Sequence, residues 1–209
     1  MSRNILVLQF ATQLEAKPFI ETLGLETLQQ KPFLLYRGDS SLYAIIGGIG
    51  VTSAAIAATY VYTTLNADKI LNIGAAGALT PSLPLGTIGT VTTVFDTTRF
   101  DFDTEKPFTY ALTPMDTVIQ LTCVSVTKPL RTSEERNQFA PTADIVDMEL
   151  AGIARASQKF SKLCYAIKYI SDTPQHNTHE DIVHNIMTLS RSTAPEIVAY
   201  IQSLIAEYS

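Results

Sequence analysis

The sequence predicts an α/β fold: a mostly parallel sheet covered by helices on both faces. Short apolar, β-branched runs recur along the 209 residues, and helical patterns lie between or after them. Apolar residues make up 46% of the chain and charged residues 17%, the balance of a compact fold and not of a disordered one. With no low-complexity tract, internal repeat or linker-like shift, residues 1–209 read as one domain around a single core.

Taken in order, "NILVL" (4–8) reads as the first strand and 13–23 as the first helix. Residues 40–67 carry no charge, a length that invites a membrane-spanning reading. Gly47, Gly48 and Gly50 divide that stretch, however, into "LYAII" (42–46), suited to a strand, and a small-residue helix over 51–66. "KILNIG" (69–74) follows as a strand leading into a turn of small residues, "NIGAAGAL" (72–79). The runs 87–95 and 118–127 lack a long helix between them, which makes the sheet mixed. A helix over 147–160, a strand over 163–170 and a closing helix over 179–207 complete the pattern.

Charge and cysteine usage remove several function classes. A net charge of −5 offers no basic footprint for nucleic acid. Cys123 and Cys164 sit in apolar runs without metal or redox spacing, as in a reduced cytoplasmic protein. The first residues turn polar at Gln13 and Glu15 with no cleavage signature. His176, His179 and His184 lack the i, i+4 spacing of a zinc pair, and no cofactor motif is present.

In open α/β sheets ligands gather beyond the C-terminal ends of strands. Three acids fall there: Glu15 after strand 4–8, Glu149 in the opening turn of the helix between two strands, and Asp172 directly after "AIKYIS". Each also has an ordinary structural reading. Glu15 could be an exposed first-turn acid, Asp172 a turn or cap residue, and Glu149 an acid at the positive end of a helix dipole.

Their order and spacing, together with "GGIGVTSAA" (47–55), "NIGAAGAL" (72–79), "VDMELAGIA" (146–154) and "KYISDT" (168–173), carry a resemblance. The chain resembles the nucleoside phosphorylase and nucleosidase superfamily over nearly its whole length. Within it, the chain is most similar to 5′-methylthioadenosine/S-adenosylhomocysteine nucleosidases, including those acting on aminodeoxyfutalosine. The resemblance implies a three-layer α/β/α sandwich with a central twisted mixed sheet, a nucleoside substrate, no cofactor and a homodimer. It implies that Asp172 protonates purine N7, that Glu15 activates the attacking water and that Glu149 binds the ribose hydroxyls with Met148 against the sugar. Asp147 would satisfy only the helix end. The other substrate-binding positions it implies are Ala75, Gly74, Ser171, Ile49 and Leu130.

Phosphorylases of this group carry Arg at the position matching Asn72 and Ser at the one matching Ala75, so both anion contacts are absent and water is the expected nucleophile. A phosphorylase, or a nucleoside-binding protein without catalysis, are the alternatives. The chain also departs from the nucleosidases: Ala75 stands for the usual Ser, Lys168 for the usual Arg, and Leu130 for an aromatic over the base. Arg99 and Arg131 are the cations that could meet an acidic 5′ group.

Overall fold

The computed structural model describes residues 4–39, 41–115, 118–176 and 178–206. In chain order the elements are β1 (Leu6–Phe10), α1 (Gln13–Thr22), β2 (Glu26–Gln29), β3 (Leu35–Arg37), β4 (Leu42–Ile46), α2 (Val51–Thr64), β5 (Lys69–Ala78) and β6 (Ile88–Phe100). They continue with β7 (Pro107–Ala111), β8 (Ile119–Ser125), α3 (Ser133–Asn137), β9 (Ile145–Asp147), α4 (Leu150–Phe160), β10 (Leu163–Asp172) and α5 (His179–Ala206). The last position of the helix expected over 179–207 lies outside the described residues.

All ten strands join one mixed sheet. β5 is its hub, parallel to β1 and to β10 and, at Gly77 and Ala78, antiparallel to β9. β10 pairs β6, β6 pairs β8, and β8 pairs β9, so these five strands close a ring while β1, β4, β3 and β2 extend as an open arm. Helices cover both faces. Ala54, Ala57 and Val61 of α2 pack with Leu150 and Ile153 of α4 in one core. Ala16 and Phe19 of α1 pack with Ile197 and Ile201 of α5 in the other. This is a three-layer α/β/α arrangement, and among the described residues no helix is long and apolar enough to cross a membrane.

Two sequence expectations need correction here. The stretch 72–79 is not a turn: β5 runs straight through it to Ala78, because its small residues serve neighbouring side chains and not a chain reversal. The helix expected from 147 starts instead at Leu150, since Ile145–Asp147 are taken up as a short strand between β5 and β8.

The join between α2 and α4 is unusually close. A Cβ on Gly152 would lie 2.0 Å from the Val51 carbonyl oxygen. Helix propensity alone favours Ala over Gly by about 1 kcal/mol. A backbone oxygen cannot rotate away, so overpacking should win, at roughly 1–3 kcal/mol. We expect Gly152→Ala to lower the melting temperature; an unchanged or raised value would show that the two helices can separate freely.

Candidate active site

A cavity of 340 Å³ opens where β1, β5, β9 and β10 end and α1, α4 and α5 begin. Its walls are mainly apolar, among them Leu14, Ile49, Val126, Leu130, Met148 and Ile182. Glu15, Glu149 and Asp172 all line it, as do Met148, Ala75, Ser171, Ile49 and Leu130. Gly74 does not. It stands behind, where a Cβ would come within 2.9 Å of Glu15 Oε1.

Glu15 is buried, at 5% exposure, and not on a solvent face. Thr12 caps α1 and receives a capping box from Glu15: Oε2 accepts from the Thr12 N–H (3.0 Å) and Oγ1–H (2.8 Å). Oε1 accepts from the Ala75 N–H at 3.0 Å, sixty residues away. Three donors thus fix one carboxylate between a helix start and β5. Glu15→Gln would turn an NH2 group toward at least one of those donors. We expect a loss of stability of about 1–3 kcal/mol, read as a lower melting temperature. The exposed reading of Glu15 predicts almost no change.

Asp147 is consumed by structure. Oδ1 accepts from Ser125 Oγ (2.5 Å), and Oδ2 accepts from the Leu150 N–H (2.9 Å) and from Lys168 Nζ (2.8 Å). Lys168 is buried at 1%. Desolvation opposes its charge, but Asp147 and Glu149 outweigh it and push its pKa above the usual lysine range. Asp147 therefore does the helix-end work, and Glu149 is left with a different set of contacts.

Glu149 is the N-cap of α4 yet makes no capping bond to it. Its Oε1 accepts instead from the Gly50 N–H at 2.9 Å. Gly50 has φ +99°, a backbone conformation that favours glycine, and this turn aims its N–H across to α4. Burial first, and then the Asp147 charge, raise the Glu149 carboxyl from 4.5 to about 7.

Asp172 ends β10, one residue past a bulge in its pairing with β5, a device that re-aims side chains. Ser171 Oγ donates to its Oδ1 (2.8 Å), and Arg136 Nη2 donates to its Oδ2 (2.5 Å). Sequence reading missed Arg136, because α3 is only five residues long and Glu134, Glu135 and Arg136 look like a solvated charge run. Yet Arg136 is 1% exposed. Of the two cations singled out in the sequence, Arg131 lines the cavity. Arg99 lies in another groove, stacked 4.3 Å over Phe108 and donating to Tyr110 Oη.

Strand ends that deliver four carboxylates to one apolar cavity, Asp147 among them, define an α/β enzyme with a small-molecule site. The phosphorylase superfamily model matches residues 6–119, more than half of the chain. The chain belongs to that superfamily. The 5′-methylthioadenosine/S-adenosylhomocysteine nucleosidase of Pseudoalteromonas translucida is 24% identical over 210 residues, covering 87% of this chain and 89% of that protein. In fold, the chain is similar to the Helicobacter pylori nucleosidase of the same name, with TM-score 0.86 and 16% identity over 97% of this chain and 100% of that one. It is also similar to the futalosine hydrolase of Helicobacter pylori, with TM-score 0.84 and 16% identity over 96% and 98% of the two chains.

Proposed function

We propose that this enzyme hydrolyses the N-glycosidic bond of 5′-modified adenosines, releasing adenine and the modified ribose. The observation that carries the reading is the meeting of Glu15, Glu149 and Asp172 in one cavity, each held by different partners. The names of its relatives point the same way.

The reaction needs three separate services. Water attacks C1′ while Glu15 takes its proton. The C1′–N9 bond breaks with its electron pair passing to the base, and Asp172 gives a proton to N7. Glu149 binds the 2′ and 3′ hydroxyls and opposes the positive charge that builds on the sugar. Two acids of opposite protonation state on either side of a glycosidic bond follow the logic of glycosidases. Among the described lining residues only Arg131 and His179 can carry positive charge, a poor cradle for a phosphate dianion.

Methylthioadenosine, S-adenosylhomocysteine and aminodeoxyfutalosine, each with and without phosphate, test the reading by release of free adenine. Hydrolysis without phosphate supports it. Turnover that requires phosphate and yields a ribose 1-phosphate would make the protein a phosphorylase, and binding without release would make it a non-catalytic receptor.

A further inference from the structure

Three buried ionisable groups meet where β9, β10 and the start of α4 converge: Asp147, Lys168 and Glu149. Asp147 and Glu149 line the cavity, and Lys168 stands behind them and does not. Lys168 Nζ donates to Asp147 Oδ2 at 2.8 Å and acts on Glu149 through space. One cation thus serves two carboxylates. Buried ion pairs seldom stabilise a fold better than apolar packing would. The arrangement calls for another use.

The two acids are not held alike. Asp147 has three donors: the Ser125 hydroxyl, the Leu150 N–H and Lys168. Glu149 has the Gly50 N–H. Donors to a carboxylate favour its charged form. Without the Lys168 charge, Asp147 would keep two donors, so a proton drawn into the cluster would go to Glu149. With Asp147 made neutral, the Lys168 charge would fall on Glu149 undivided. The remaining groups facing Glu149 are weaker influences or lie across the cavity. Glu15 of α1 adds the smallest opposition to its charge, and Cys123 of β8 stays a neutral thiol because burial pushes its pKa well above the usual range. Asp172, Arg131 and His179 share the cavity with it.

We infer that Lys168 is a positioning residue for charge: through its pair with Asp147 it governs the ionisation of Glu149, and so the pH above which the site can stabilise a cationic sugar. The inference rests on the nucleosidase reading and adds to it a residue that does not line the cavity.

The test is a charge cycle of Lys168→Met, Asp147→Asn and the double variant, each made with and without Glu149→Gln. Asp147→Asn can keep every hydrogen bond, since the Ser125 hydroxyl can turn and accept from the amide. The gain in melting temperature from Glu149→Gln rises with pH and levels off once Glu149 has ionised in the fold, at about 7 in the wild type. Lys168→Met should move that plateau up by about one pH unit or more, and Asp147→Asn should move it down by a similar amount. The double variant should return it toward the wild-type position. The acidic limb of kcat/KM should shift in the same directions. A merely structural pair predicts lower melting temperatures with plateaus that stay in place or move together. Either result overturns the inference, and so does a plateau that moves while the acidic limb stays still. If Lys168→Met does not fold, Asp147→Asn decides alone, and a plateau that fails to move down overturns the inference. If no nucleoside is hydrolysed, the nucleosidase reading has failed, and the plateaus alone judge whether Lys168 governs Glu149.

Discussion

Asp172→Asn is expected to lower kcat by about 10²–10⁴-fold while leaving KM within a few-fold, because general acid catalysis is worth that much and the amide still reaches the base. The surrounding bonds make the orientation of the amide predictable. Arg136 is donor-only, so the amide oxygen must face it and the NH2 group must face Ser171 and the cavity. That group can hydrogen-bond N7 but cannot surrender a proton to it. Stability also changes, since Arg136 keeps a hydrogen bond but loses its buried counter-charge. A cost of roughly 1–3 kcal/mol follows, seen as a lower melting temperature. Wild-type kcat in a folded Asp172→Asn protein would remove Asp172 from the leaving-group role.

Glu149→Gln is expected to separate catalysis from stability through pH. The carboxyl is pushed up to about 7 by burial and by Asp147, so the folded protein holds its proton more tightly than the unfolded chain does at 4.5. The associated stability is fully present below pH about 4.5, declines between there and 7, and is lost above 7. A neutral amide avoids that penalty. At pH 8 the variant should therefore melt no lower than the wild type, and the full shift corresponds to a gain on the order of 3 kcal/mol. At pH 5 the advantage should shrink. A plain helix-dipole role predicts the opposite sign at pH 8, a loss of about 0.3–1 kcal/mol.

Activity should move the other way. On the proposed mechanism an ionised Glu149 opposes the charge on the ribosyl group, a contact stronger in the transition state than in the ground state. The ratio of wild-type to variant kcat/KM should be small below pH 6, rise through about 7 and level off above it. A variant with wild-type kcat/KM at pH 8 would take Glu149 out of the site.

How much of this was legible depends on the range of the physical signal. β4 and the start of α2 were read at their observed positions because an apolar run, glycines and a small-residue helical pattern follow one another within a few residues. β2 and β3 were not read. Their residues are largely exposed and short, so no alternation marks them. β9 was not read, and its last residue was taken into the helix from 147, because three residues carry no periodicity and only β5 and β8 on either side make them a strand.

The sequence by itself determined the alternation of strands and helices and the presence of acids at strand ends, since both follow from local side-chain period and residue type. It also carried the likeness to nucleosidases, through motifs of adjacent residues. The tertiary structure alone decided what each acid can do. Glu15 takes its third donor from Ala75, sixty residues on; Glu149 takes its donor from Gly50, ninety-nine residues back; Asp172 takes its cation from Arg136, thirty-six residues back. Protonation and hydrogen bonding are set within a few ångströms of an oxygen, and nothing in the identity of an aspartate or glutamate names the neighbour that folding will bring there. Arg136 shows this most plainly: in the chain it reads as one charge in a solvated run, and in the fold it is the buried partner of the cavity acid Asp172.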